Sequence, residues 1–128
     1  MKWKIATAIA SAIAIGACGV AIVQAQTKAP AYFVALVNVK DQDGYSKEFL
    51  PKVLPMIKEG GGEYVAGGFN KTHSLSGAAP PNRVVIIRFD GGMSAVDAWY
   101  EKQKPILKEV GEKYASFQNF GVEGVEQK

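Results

Sequence analysis

The amino-acid sequence predicts an α+β domain that holds a four-stranded antiparallel sheet with two helices on one face. Four runs rich in β-branched and aromatic residues have the character of strands, and two longer stretches repeat apolar residues at helical spacing. Along the chain these elements follow the order β-α-β-β-α-β. The chain has 128 residues, 48% of them hydrophobic and 21% charged, which is the length and balance of one globular domain.

The first 25 residues predict a signal peptide. The start, MKWK, is basic, and residues 5–23 carry no charge, which is the layout of a basic n-region followed by an apolar h-region. We place cleavage after Ala25 and expect an exported protein, periplasmic or secreted. Residues 26–31 are then a short tether, and residues 32–126 form the folded domain.

Two other fates of this segment stay open. The tetrapeptide IGAC resembles a degenerate lipobox, which would make Cys18 a lipidated N-terminus. An uncleaved anchor is the other alternative, because the apolar run approaches the ~20 residues that a transmembrane helix needs. Only these two routes would bring the protein to a membrane. Since Cys18 is the only cysteine, a chain cut after Ala25 has no disulfide and no thiol nucleophile.

Composition argues against several classes of partner. Removal of residues 1–25 takes out Lys2 and Lys4 and lowers the formal net charge by two, from +3 to +1. No cluster of Lys and Arg remains, so we expect no nucleic-acid partner. The single histidine, His73, has no second ligand at metal-binding spacing, and there is no phosphate loop. We therefore expect neither a metal nor a cofactor.

The first strand and the first helix are predicted at residues 32–39 and 43–60. The strand is rich in aromatic residues and Val, and it ends at a DQDG turn. Either Asp41 or Asp43 could cap the helix, and a run of three glycines ends it. Two prolines inside the helix lack the N–H that bonds back along the chain, so we expect a kink or two shorter helical pieces.

A second strand, weakened by glycine, is predicted at residues 63–70, and a loop separates it from the third strand, RVVIIRF, at residues 83–89. An arginine stands at each end of this third strand. Because Arg83 and Arg88 are five residues apart, an even strand sends them to opposite faces. Arg83 is expected to stay hydrated at the edge, whereas Arg88 shares its face with the apolar residue Ile86.

The second helix is predicted to begin at a capping-box-like Ser94 and to restart at Pro105. Residues 117–125 are predicted to form the last strand, and the six elements together make a ferredoxin-like arrangement. Two helices cover one sheet face only, yet the central strands are apolar on both faces, so the second face would be a large exposed apolar patch. We expect a homodimer that packs sheet against sheet around a cavity.

Over residues 31–125 the chain resembles the domain-of-unknown-function family DUF1330 of the dimeric α+β barrel superfamily. The resemblance is carried, in order, by AYFVALVNVKDQDGY, GGGEYVAGGF, NRVVIIRF, AVDAWY and FGVEGV. It implies a ferredoxin-like protomer and a barrel-forming dimer but no reaction, because related families include oxygenases, haem-degrading enzymes and plain ligand binders. Asn38, Ser76 and Arg88 stand where the family pattern often has carboxylates, which argues against acid-base chemistry.

Seven residues are candidates for contact with a ligand. They have polar or amphipathic side chains on or beside the predicted elements: Asn38, Tyr45, His73, Arg88, Trp99, Tyr100 and Glu123. Arg88 would serve an anionic or carbonyl-bearing ligand, because a guanidinium offers a fixed fork of donors. Trp99 and Tyr100 point about 100° apart on a helix and cannot both face the same core. Either one of them reaches a groove, or Trp99 packs on the sheet while Tyr100 lies along the surface.

The remaining candidates have plainer alternatives. Tyr45 either reaches the cavity mouth with its hydroxyl or is a core aromatic residue. His73 is a functional residue or a surface residue of a loop, and Glu123 is a ligand contact or a solvated strand end.

Three functions are consistent with the sequence. The first is binding of a small apolar or aromatic ligand in a cavity between the sheet and the dimer partner. The second is a cofactor-independent oxygenase or isomerase in the same cavity, which requires a tyrosine or His73 with a perturbed pKa. The third is a self-association module without catalysis. The sequence predicts no particular catalytic residue.

Overall fold

The structure, a computed structural model, describes residues 29–126. Residues Ala29–Val125 form one compact unit. The predicted signal peptide and Cys18 lie outside the described residues. Within residues 29–126 no helix combines the length and the apolar character needed to cross a membrane.

Four strands and two helices follow one another in the predicted order. Their bounds are β1 (Ala31–Val39), α1 (Gln42–Gly44, Tyr45–Phe49 and Leu50–Glu59), β2 (Gly62–Ala66), β3 (Arg83–Phe89), α2 (Met93–Glu109) and β4 (Ala115–Glu123). The strands form one antiparallel sheet in the order β2-β3-β1-β4. This confirms the predicted ferredoxin-like fold, in which β1 and β3 are the central strands.

The two faces of the sheet follow from the strict alternation of side chains along a strand. In β1, Phe33, Ala35 and Val37 are buried beneath the helices, whereas Val34 and Leu36 are only half-buried on the opposite face. We call this second face, which no described helix covers, the open face. It also carries Ile86 of β3.

The core lies between the sheet and both helices. Phe89, Ile87 and Val37 are its most completely buried large side chains. Trp99 of α2 meets the ring of Phe33 edge to face at 4.8 Å and lies 5.4 Å from the ring of Phe89. Such aromatic pairs add to the hydrophobic effect of burial, so α2 is anchored to the two central strands.

Helix α1 contains a π-helical turn, Tyr45–Phe49. Of the two predicted caps, Asp41 is the one used: its Oδ1 accepts a hydrogen bond from the backbone N–H of Gly44 at 3.1 Å. Pro51 follows the turn and cannot donate a backbone hydrogen bond to the carbonyl of Lys47. The predicted break in this helix is therefore a local change of helical pitch.

Helix α2 differs from its prediction at two points. It begins at Met93 after Gly92, which has φ 86° and offers no side-chain cap, so Ser94 does not start the helix. The helix also runs on through Pro105 without a restart. The carbonyl of Glu101 that loses its bond there belongs to an exposed turn, where water can replace the missing donor.

The edge strands also depart from their predicted bounds. Strand β2 ends at Ala66, because Gly67 (φ 153°) and Asn70 (φ 57°) turn the chain away from the sheet. Strand β4 begins at Ala115, where its ladder with β1 starts opposite Val39.

We expect Phe89→Ala to lower the free energy of unfolding by about 3–5 kcal/mol, because it removes a fully buried ring that packs on Trp99. Urea denaturation followed by circular dichroism measures the change. The neighbouring Arg88→Ala is the control: Arg88 is exposed and pairs only with exposed Asp90, so its loss should cost less than about 1 kcal/mol. Equal effects would contradict the assignment of the two faces.

Candidate functional site

A cavity lies between the sheet and the two helices, and we call it the inner cavity. Its volume is about 50 Å³, which is room for about four water molecules. Six aromatic side chains contribute to its wall: Phe33, Tyr45, Phe49, Tyr64, Trp99 and Phe117. Its polar side chains other than tyrosine and tryptophan are Arg83, Gln103 and Asn119.

Arg83 places a positive charge in this apolar cavity. It is the first residue of β3, it faces the helices, and only 6% of its surface is exposed. Its Nη2 donates a hydrogen bond to the hydroxyl of Tyr64, and its guanidinium carbon lies 5.3 Å from the centre of the Tyr45 ring. These are neutral contacts, and the buried Nε has no hydrogen-bond partner among the described residues.

Among residues 29–126 no carboxylate pairs with the charge of Arg83. The ion pairs within residues 29–126 join Arg88 to Asp90 and Lys104 to Glu101, and neither an acidic side chain nor a histidine lines the inner cavity. A buried charge is costly unless it is paired and hydrogen-bonded. The inner cavity is therefore electrostatically prepared for an anion.

Two tyrosine hydroxyls adjoin the guanidinium. Burial raises the pKa of Tyr45 above its ordinary value of 10.0, and the charge of Arg83 offsets part of that rise. Burial likewise raises the pKa of Tyr64, again against the opposing effect of Arg83. Both side chains are therefore neutral hydrogen-bond donors at physiological pH.

Tyr64 and Leu54 mark the mouth of the cavity. They are the lining residues with high exposure, 41% and 42% respectively, so the cavity opens between β2 and α1. A Cβ atom on Gly67 would lie 2.5 Å from the Tyr64 hydroxyl. Glycine at this position thus leaves the space that lets Tyr64 reach Arg83.

Further polar groups lie on the other side of the cavity. The Asn119 side-chain N–H donates to the Tyr100 hydroxyl at 3.3 Å, while its buried Oδ1 has no partner among the described residues. Gln103 is 4% exposed. Trp99 Nε1 is likewise buried without an acceptor among residues 29–126. Buried polar groups in proteins are nearly always paired with protein or water, so these atoms are available to a hydrogen-bonding molecule in the inner cavity.

Four of the sequence-predicted site residues lie away from the inner cavity. Asn38 and Arg88 are exposed on the open face, and Arg88 Nε donates to Asp90 at 2.9 Å. His73 is exposed in the loop between β2 and β3, and Glu123 is exposed at the end of β4. The structure does not bring these four residues together.

The other three, Tyr45, Trp99 and Tyr100, lie in or beside the inner cavity. Trp99 is 4% exposed and Tyr100 is half-buried against the core, so the helix places the two side chains in different environments. Phe33 lies beneath the helix between them, with ring centres 4.8 Å from Trp99 and 5.8 Å from Tyr100. Long aromatic side chains thus reach one buried ring from neighbouring helical positions.

The sequence analysis assigned Arg83 the wrong environment, whereas it placed Arg88 on the correct face of β3. Arg88 does share its face with Val84 and Ile86, as predicted, but it is the exposed one, and Arg83 is buried rather than hydrated. The alternation of side chains along the strand could have predicted this burial. Arg83 is an even number of residues from the apolar Val85, Ile87 and Phe89 and therefore shares their face. The Asn119 oxygen, which has no partner among the described residues, has no comparable signal in the sequence.

The part of the chain that the structure describes contains no group of three or more His, Cys, Asp or Glu that could hold a metal ion. The polar groups of the inner cavity are hydrogen-bond donors, amide groups and one guanidinium. This set can bind and orient an anion, but it has no side chain that ordinarily exchanges protons at neutral pH.

Two solved structures of one protein show the same fold as this chain at low sequence identity. A protein of unknown function from Rhodopseudomonas palustris gives a TM-score of 0.57 at 14% identity, with 84% of this chain and 93% of that chain covered. Its methylated form gives 0.56 at 14% identity, with 83% and 90% covered. An EthD-like protein from Ralstonia eutropha gives 0.46 at 15% identity, with 73% and 91% covered.

Family membership rests on the sequence. No curated protein matches the chain. The family model described as a domain of unknown function, DUF1330, matches residues 30–117. This span exceeds half of the 128 residues, and the chain therefore belongs to the DUF1330 family, as its resemblance predicted.

Proposed function

We propose that the protein binds a small organic acid in the inner cavity, with Arg83 as the partner of the ligand carboxylate. The observation that carries this proposal is the burial of the Arg83 side chain without a counter-charge from residues 29–126. A guanidinium and a carboxylate form two parallel hydrogen bonds of matched geometry. The aromatic wall would enclose the apolar body of the same molecule.

This proposal differs in place from the predicted cavity between the sheet and a dimer partner. That second cavity stays a prediction. The inner cavity is favoured because it joins a buried charge, an apolar wall and an opening at Tyr64, which are the usual components of a small-molecule site.

Binding without catalysis is the better supported function. The predicted oxygenase or isomerase requires a tyrosine or His73 with a perturbed pKa, and a tyrosine acts as a base near neutral pH only if its pKa is lowered. His73 is exposed in a loop away from the inner cavity, and the raised pKa of Tyr45 and of Tyr64 keeps both hydroxyls protonated. The sequence pattern of residues 1–25 supports the further proposal that binding occurs after export.

We also propose that the open face joins two copies of the chain. Val34, Leu36 and Ile86 are half-buried there, and Phe120 and Val122 are 44% and 46% exposed. They are neighbours on the sheet, since Val34 pairs with both Ile86 and Phe120. A second sheet would remove this contiguous apolar surface from water.

Arg83→Met should abolish stabilisation by carboxylates such as benzoate and butyrate, because it removes the proposed partner of their charge. In ligand-free protein the same change should raise the free energy of unfolding, by about 1–4 kcal/mol, since a buried charge is replaced by an apolar side chain of similar length. Thermal and urea unfolding with and without each acid measure both effects.

Arg88→Met is the matched control on the same strand and should change neither quantity, because Arg88 is exposed. If Arg83→Met were strongly destabilising and the wild-type protein showed no carboxylate-dependent shift, Arg83 would have a structural role only.

Alkaline titration tests the geometry around Arg83. In the folded protein burial raises the pKa of Tyr45 and Tyr64, so their contribution to stability is complete below pH 10, the ordinary value, and is lost as pH rises through the folded-state pKa. Arg83→Met should raise both pKa values further, and Arg88→Met should not. Phenolate absorbance, compared with Tyr45→Phe and Tyr64→Phe, measures this shift; identical curves for Arg83→Met and wild type would contradict it.

A charge on the open face should dissociate the proposed dimer. Ile86→Asp places a carboxylate among Val34 and its neighbours, and burying it without a partner is unfavourable. We expect a dimer for the wild type and a monomer for Ile86→Asp by light scattering, with unchanged circular dichroism. Ala98→Asp, on an exposed position of α2, should remain dimeric. A wild-type protein that is monomeric at high concentration would refute the proposal.

A further inference from the structure

The inner cavity has polar groups at two separate places on its floor. Arg83 belongs to β3 and Asn119 to β4, with β1 between them. Val37 pairs with Arg83, and Ala35, two residues before it, pairs with Asn119. From the spacing of strands and residues, the two Cα atoms are about 12 Å apart. Their side chains therefore lie at opposite ends of the cavity.

Ala35 keeps the space between these ends open. It lies in the middle of the floor, paired with Val85 on one side and Asn119 on the other, and it is 4% exposed. Val85 of β3, Ala35 of β1 and Asn119 of β4 all line the cavity, so it extends across β1. A ligand that reaches from Arg83 to Asn119 would pass over Ala35.

The Asn119 end offers neutral hydrogen-bonding groups from two elements. Asn119 Oδ1 is buried and unpaired, and Gln103 of α2, 4% exposed, has an amide that lines the same cavity. Gln103 also follows Tyr100, the partner of Asn119, by three residues and is therefore its neighbour on the helix surface. This end can accept a hydrogen bond and donate one.

The neutral amide groups at the Asn119 end determine which functional group, besides the carboxylate at Arg83, a ligand could place there. A second carboxylate would lack a cation there, since Arg83 is the one cationic residue that lines the inner cavity among the described residues. An ammonium group would lack an anion, because no acidic side chain lines it. A hydroxyl suits the site, since it donates to the Asn119 oxygen and accepts from an amide N–H.

We infer that the ligand is a hydroxy-substituted carboxylic acid, with its carboxylate at Arg83 and its hydroxyl at Asn119. This inference rests on the proposed function. The wall of the inner cavity is mostly apolar, with six aromatic and nine aliphatic side chains. A single flat ring that carries the two groups at opposite ends suits such a wall.

Paired acids that differ by one hydroxyl test the inference. Isothermal titration calorimetry of the wild-type protein with 4-hydroxybenzoate and benzoate should show the hydroxy acid binding at least about tenfold more tightly, because benzoate leaves the Asn119 amide unpaired. Asn119→Leu should bring the two affinities within about twofold while benzoate binding persists. Gln118→Leu, the adjacent exposed residue on the open face, should keep the tenfold preference.

The outcomes separate this inference from the function on which it rests. If both acids bind equally to the wild type and Arg83→Met abolishes both, the hydroxyl assignment is wrong and carboxylate binding stands. If neither acid binds, both are wrong. The wild-type comparison is decisive even if Asn119→Leu does not fold, and a preference that survives in folded Asn119→Leu would also overturn the assignment.

Discussion

The buried guanidinium of Arg83 is the constraint around which the helix side of this protein is arranged. It lies at the start of a central strand, beneath the helices, where water cannot solvate it fully. The Tyr64 hydroxyl accepts one of its N–H groups and the Tyr45 ring lies beside it, yet neither supplies a negative charge. A hydrophobic side chain of similar size would be more stable there, so this charge is the feature on which the proposed ligand site rests.

The fold encloses Arg83 because side chains alternate between the two faces of a strand. Every second residue of β1 and β3 faces the helices, so a charge at one such position is enclosed once α1 and α2 cover the sheet. Tyr45 begins the π-helical turn, and its ring lies 5.3 Å from the guanidinium carbon of Arg83 in β3. The small side chain of Ala35 also lines the inner cavity, which opens at Tyr64.

Element type and order could be predicted from the sequence because both depend on local patterns. The run VVII of β3 and the apolar spacing of α1 each identify their element without knowledge of the rest of the chain. The site could not be found in this way. Whether Arg83 is hydrated depends on Tyr45 and Tyr64, which are 38 and 19 residues away in sequence, and whether Asn119 is paired depends on α2. Strand parity alone could have distinguished Arg83 from Arg88, once it was known which face the helices cover.

The two proposed sites, the inner cavity and the open face, lie on opposite sides of the central strands. Ile86 of the open face lies between Val85 and Ile87, which line the inner cavity, so a ligand and a second copy of the chain would contact opposite sides of the same backbone. If ligand binding shifts β3, it also changes the equilibrium between monomer and dimer. The coupling free energy between the two is reciprocal, so a ligand that strengthens dimer formation is itself bound more tightly by the dimer. The sheet would then couple ligand binding to dimer formation, although the two sites share no side chain.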